Sequence, residues 1–386
     1  MSDDNFSTVS TQSWFSRIAD SIKGMLFGGL LAIVAVVVLF WNEGRAVNRA
    51  QALTEGAGAV VAASAERVDP ANDGKLVHLS GLATTTETLA DGEFGVATNV
   101  LKLRRTAEMY QWKETKSESK DKNLGGSETT KTTYSYAKQW SESLIDSAQF
   151  KQREGHTNPA AMPYSARKLT AEKITLGGFT LSSSLAAMID NFTELPVEQT
   201  EALPPPVKAK AKLQDRRIFL GADPASPQIG DQRIGFQIAR PAVVSLVARQ
   251  VKGTFEPYTT KNDGKIELLQ VGEFSAAVMF KQAESQNAWL TWAPRLGGFI
   301  AMWIGFMLIA KPLAVLGDLV PFIGTVIEFG MGLITMLFAG VISLVTVAVA
   351  WIVYRPVLGV ALLVAAIALP FLVKRMRSGA KPAAQG

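Results

Sequence analysis

Cysteine is absent from the 386 residues, which excludes disulfides, thiolate metal sites, thiol nucleophiles and lipid-modified cysteines. Histidine is nearly absent. His78 and His156 are the two in the chain and no HExxH pair occurs, so a zinc site would have to be assembled mainly from carboxylates. No GxSxG elbow, P-loop or helix-opening GxGxxG is present, which removes the commonest nucleophile and nucleotide signatures. Nor is there a run of Lys and Arg to follow a nucleic-acid backbone. The net charge is +5 and the bases are scattered among acids, so nucleic acid is set aside as a partner. On these grounds the chain reads as a non-enzyme without metal or cofactor. A hydrolase would need carboxylates converging in a cleft, around Asp190 or Glu273 for example, and no spacing here demonstrates that.

What is present is long apolar runs. Gly24 to Trp41 is free of charge and, at about 18 residues, is near the length that crosses roughly 30 Å of hydrocarbon. A cleaved signal peptide, with Ala50-Gln51-Ala52 as its site, fits less well, because the run is longer than a signal core and the triplet lies behind charges. Leu296 to Leu316, with Lys311 near its end, reads as a second span. Phe329 to Tyr354 is a third and Val357 to Val373 a fourth, joined by a tight Tyr354-Arg355-Pro356 hairpin. The expectation is an α+β membrane protein with one N-terminal and three C-terminal transmembrane helices.

The tail at 374–386 carries Lys374, Arg375, Arg377 and Lys381 and no acid, which places the C-terminus in the cytoplasm by the positive-inside rule. With four spans the N-terminal segment 1–23 is cytoplasmic too. Arg17 and Lys23 agree; Arg45 and Arg49 argue weakly the other way. Residues 42–294 are then an extracytoplasmic domain, periplasmic or lumenal, and 317–328 a short cytoplasmic-side or interfacial segment.

Alternation of apolar and polar residues marks that domain as β-rich. Lys75 to Leu79, Asn99 to Leu103, Arg233 to Ile238, Val243 to Val247 and Lys265 to Val271 read as strands. Met109 to Glu118 and Thr129 to Trp140 flank a Gly125-Gly126 turn as arms of a long, nearly neutral hairpin. Short helical patches are expected at Ser182 to Phe192 and Ala276 to Gln286. Pro204-Pro205-Pro206 reads as an exposed linker between two halves. His156 is expected in a turn, bonded to nearby backbone. Arg104 and Arg105 point to opposite faces, so at most one enters a buried ion pair.

Two features lie in the apolar part. Glu328 is either at the interface on an amphipathic helix or an intramembrane ion or proton site, since an ionised carboxylate at the bilayer centre costs several kcal/mol. Gly24 and Gly28 form a GxxxG pattern, usable for packing within the fold or for homo-oligomerisation.

The order of several short motifs resembles the transmembrane protein 43 (LUMA) family. They are Asn42-Glu43-Gly44-Arg45-Ala46, Leu103-Arg104-Arg105 with Glu108-Met109-Tyr110-Gln111-Trp112, Tyr134-Ser135-Tyr136, Gly155-His156-Thr157-Asn158-Pro159, Leu181-Ser182-Ser183, Leu246 to Gln250, Glu273-Phe274-Ser275 and Tyr354-Arg355-Pro356. The likeness runs from Gly29 to Pro370. It implies a four-span protein with a large lumenal domain. For animal members it implies the endoplasmic reticulum and inner nuclear membrane, self-association, and envelope organisation with lamins and emerin. This alanine-rich, cysteine-free chain resembles a bacterial member, for which the inner membrane is the site and only the scaffold idea transfers. The resemblance supplies no catalytic residue. The leading expectation is therefore a multipass scaffold that self-associates and organises membrane protein complexes. The runner-up is an ion channel, transporter or lipid-handling protein built on the C-terminal helices and Glu328.

Overall fold

The computed structural model describes residues 5–200, 203–319 and 321–356. The fourth apolar stretch, Val357 to Val373, and the basic tail lie outside them. The chain divides into two units. One holds residues up to 9, 52–119 and 131–282; the other holds 10–51, 120–130 and 283 onward.

The first unit is built on strands whose alternation puts one set of side chains inside. Its larger sheet runs β1 (Asn5–Gln12), β4 (Glu128–Ser141), β3 (Lys102–Lys122), β7 (Gln232–Ala239), β6 (Arg217–Leu220), β5 (Ala211–Gln214). The β3–β7 register runs antiparallel from Gln232 opposite Met109 to Ala239 opposite Lys102. Ile218, Ile234, Phe236 and Phe94 are buried on it. In the second sheet β8 (Ala242–Val251) lies between β2 (Leu76–Thr84) and β9 (Leu268–Val271). Leu79, Leu246, Phe179 and Phe255 form its core. A short helix, α2 (Ser183–Met188), is capped by the Ser182 hydroxyl on the Leu185 amide.

Two expectations for this unit are corrected. Pro204-Pro205-Pro206 is not an exposed extended linker: Pro205–Lys208 forms one helical turn, with Leu203 and Val207 buried beside it. Proline suits the first helical position because its missing N–H has no partner there anyway. Ala276 to Gln286 is not a short patch either. It is the start of a 42-residue helix, α3 (Ala276–Gly317).

The second unit is helical. α1 (Trp14–Ala59, 46 residues) contributes its residues up to 51, and runs antiparallel to α3. α4 (Pro321–Tyr354) is continuous through Glu328. All three helices are long and apolar enough to cross a membrane. Leu26, Phe27, Leu30 and Ile33 of α1 and Leu337, Phe338, Val341 and Leu344 of α4 are exposed, which suits a surface solvated by lipid tails rather than water. The internal seam sets three alanines among larger apolar side chains: Ala32, Ala35, Leu39, Met302 and Ala339 are buried together.

At that seam Gly28 faces Gly305, and a Cβ on Gly28 would lie 2.5 Å from the Gly305 carbonyl oxygen. Backbones this close are the use to which membrane helices put glycine. Gly24 is looser, 3.9 Å from Leu308, and Gly29 faces open space. Gly28 is thus consumed by packing within the fold. Gly28→Leu is expected to lower the thermal stability of the full chain in detergent by about 1–3 kcal/mol or more. Gly29→Leu should leave it unchanged; equal effects would dissolve this reading of the seam.

Candidate functional site

The apolar middle of the helical unit is closed at each end by a polar cluster. At one end the segment Asn42-Glu43-Gly44-Arg45 joins the helices. Buried Glu43 accepts from Arg295 Nε (2.6 Å) and Nη2 (2.8 Å), a two-point pair, and from Trp351 Nε1 (2.8 Å). Asn42 Nδ2 donates to the Thr291 carbonyl at 3.0 Å, while its Oδ1 accepts from Arg45. Arg45 also donates to Asn287 Oδ1 (3.1 Å) and the Leu290 carbonyl (3.1 Å), and Asn287 Nδ2 donates back to the Ala46 carbonyl (3.0 Å). Gly44 is small because the Tyr354 ring lies where a Cβ would be, 2.6 Å away. One four-residue motif therefore ties α1 to both other helices, with donors and acceptors matched as a low-dielectric setting requires.

At the opposite end Arg17 is buried. It bonds Asp318 Oδ2 and the Gly126 carbonyl, each at 2.5 Å, and lies 3.4 Å from Glu128. Lys122 reaches Asp318 (3.0 Å) and Glu328 (2.7 Å). Burial works against the Lys122 ammonium, but the hydrogen bonds and charges of Glu328 and Asp318 outweigh it and raise its pKa. Trp14 donates to the Val315 carbonyl at 2.8 Å and covers Gly126, whose φ of +79° and lack of a Cβ the ring requires. Glu328 is thus the half-exposed partner of a lysine, not an acid isolated in hydrocarbon. A cleft of about 320 Å³ beside it has apolar walls, Met307, Leu308 and Met331 among them, with Lys311 at the edge.

These contacts bear on sidedness. β1 is an edge strand on β4, with the Thr11 and Thr129 hydroxyls 3.4 Å apart, and Arg17 meets Glu128. A hydrogen-bonded sheet and a buried ion pair cannot straddle a bilayer.

Other singled-out residues fall in the β-rich unit. Arg105 is buried on Asp91 (3.0 Å) and Glu93 (2.6 Å), whereas Arg104 turns the other way, to Gln237 and over the Phe192 ring. Glu108 pairs with Arg233 at 3.0 Å, and Tyr110 packs on Trp140. His156 is buried, stacked on Tyr136 (3.9 Å) and edge-on to Trp112 (4.7 Å), with Nδ1 at 3.2 Å from the Gln152 carbonyl. Asn158 bonds both the amide and the carbonyl of Trp112, and Pro159 lies against Gly230. Burial, with help from Glu114, pushes the Tyr136 phenol up to about 12. These residues lock a loop to the β3–β4 hairpin. Arg355 stacks on Trp351, and Pro356 ends the described chain.

Lys102 was not singled out by spacing. It is fully buried, and its ammonium donates to the Ala187 (2.9 Å) and Ile189 carbonyls at the end of α2. Burial first, and Lys168 second, lowers its pKa to about 8. An unfolded lysine titrates near 10.5, so between these values the unfolded chain binds more protons and folding strengthens as pH rises, by up to roughly 3 kcal/mol. Thermal melts should show the stability of the natural chain rising from pH 8 to 10 relative to Lys102→Met, which lacks that group. A difference independent of pH would contradict the assignment.

Arg295, Trp351, Asn287 and Asp318 were missed. A signal existed for the first: Glu43 follows one span and Arg295 precedes the next, so an antiparallel pair of helices brings the two charges to one level.

The family model described as "Transmembrane protein 43" matches residues 109–356. The human protein of that name is 34% identical over 97% of this chain and 95% of its own length. The chain belongs to the transmembrane protein 43 family. The mouse protein is 33% identical over 95% of this chain and 93% of its own, and the Drosophila melanogaster transmembrane protein 43 homolog 30% over 88% and 91%. No solved structure matches. Membership and the three apolar helices make the chain an integral membrane protein with a β-rich part. The names of its relatives in the family state no reaction.

Proposed function

We propose that this family member is a non-enzymatic membrane scaffold, its helices forming a fixed anchor and its β-rich unit engaging protein partners. The observation that supports it is the Asn42-Glu43-Gly44-Arg45 junction, where acids, bases and amides are spent on one another and hold three helices in one arrangement. A catalytic or transporting site keeps such groups available; a platform ties them off. Self-association would use a surface other than the Gly28 seam, which α3 occupies. The compartment would be the inner membrane in a bacterium, or the endoplasmic reticulum and inner nuclear membrane in a eukaryote. The basic tail argues for a cytoplasmic C-terminus. We place the N-terminal strand, the hairpin tip and the α3–α4 turn on one common side.

Crosslinking with mass spectrometry in the native membrane tests the reading, through lysines such as Lys75 and Lys265. Homo-oligomers and one dominant protein neighbour would support it; a lone monomer would sink it. The second reading, ion conduction, rests on the cleft beside Glu328. A flux in proteoliposomes abolished by Glu328→Gln would favour it.

A further inference from the structure

A second cleft, of about 610 Å³, opens between α3 and α4 at the Glu43 end. Trp289, Trp292, Phe299, Leu344 and Trp351 line its walls, and Gly340 and Ser343 lie along α4. From Trp289 to Phe299 it follows ten residues of α3, about 15 Å along the axis. Trp289 and Trp292 are largely exposed, 72% and 63%. Three indoles gathered at one end of a lipid-facing apolar surface mark the headgroup level. Three guanidiniums stand at that end, and Arg45 is committed to Asn42, Asn287 and Leu290. Arg295 is committed to Glu43. Arg355 is exposed and stacked over Trp351 at 5.6 Å; its charge acts on the Glu43 carboxylate, but no ion pair within 4 Å holds it among the described residues.

We propose that this cleft holds one anionic phospholipid of the surrounding bilayer, an acyl chain lying along Phe299 and Gly340 and the phosphate meeting Arg355. Charge complementarity selects that occupant. An aliphatic chain suits the walls, and an exposed guanidinium beside an indole matches a phosphate at interface depth. A protein segment would leave Arg355 unanswered unless it carried an acid there, and the chain's own next stretch, Val357 to Val373, has none.

The test is native mass spectrometry of the full-length protein in mild detergent, titrated with phosphatidylglycerol and with phosphatidylcholine of identical acyl chains. One tightly held phosphatidylglycerol is expected, bound about fivefold better than phosphatidylcholine. Arg355→Gln should erase that preference while chain binding persists. Gly340→Leu, which fills the cleft, should remove both lipids. Retention by Gly340→Leu, or equal binding of the two lipids by the natural chain, overturns the proposal. So does a disulfide formed in high yield between Leu344→Cys and Leu363→Cys, which would give the cleft to the fourth apolar stretch.

Discussion

Glu43→Ala should destabilise the full-length protein by about 3–5 kcal/mol, the usual result of removing one partner from a buried pair. Arg295 would then lie half-buried with no carboxylate, and Trp351 Nε1 would lose its acceptor. The penalty is chiefly that of the stranded charge. Glu43→Met combined with Arg295→Met should therefore recover most of the loss, because two apolar groups of similar volume leave nothing unpaired. Thermal unfolding in detergent, followed by size-exclusion chromatography, measures all three variants. If the double variant is as unstable as Glu43→Ala, the pair is not what the junction depends on.

The second large effect is expected at Asp318. Its carboxylate lies between Arg17 and Lys122, so Asp318→Ala removes the acid that bridges the two cations and leaves buried Arg17 with the more distant Glu128 and Lys122 with Glu328. A loss of about 3–5 kcal/mol follows from the same reasoning, but the visible outcome is local. The hairpin tip at 120–130 should come free and trypsin should cut after Lys122 much faster than in the natural chain. An independent readout uses the absence of cysteine. Thr11→Cys with Thr129→Cys places a cross-strand pair at neighbouring sites, close enough to oxidise to a disulfide. The natural background contributes no competing thiol. Failure of this pair to close in membranes would show that the N-terminal strand and the hairpin tip are not on the same side.

How far these features were legible depends on the range of the interactions that create them. Gly24 to Trp41 announces a membrane helix by itself, because hydrocarbon thickness is a local demand on composition. Strands such as Arg233 to Ile238 announce themselves by alternation. The length of α3 did not, since Trp289 and Arg295 interrupt hydropathy but not helicity. Pro204 to Pro206 looked like a linker because proline is the same letter whether it begins a helical turn or extends a loop. The pairing of Arg17 with Asp318 joins residues 301 positions apart, and no periodicity reports such a match. Family resemblance drew attention to Asn42 through Arg45, yet only geometry says that each of the four contacts a different part of the other helices.

The placement of β1 has a consequence for synthesis. Its residues leave the ribosome well before β4, which lies more than a hundred residues later, and before Asp318, which closes over Arg17, later still. A translating chain must therefore keep its N-terminal segment unpaired, on the correct side of the membrane, until most of the protein has been made. Truncations ending before Asp318 would carry Arg17 without its acid, and a cell that degrades unfinished membrane proteins would have in that exposed arginine a sign of incompleteness.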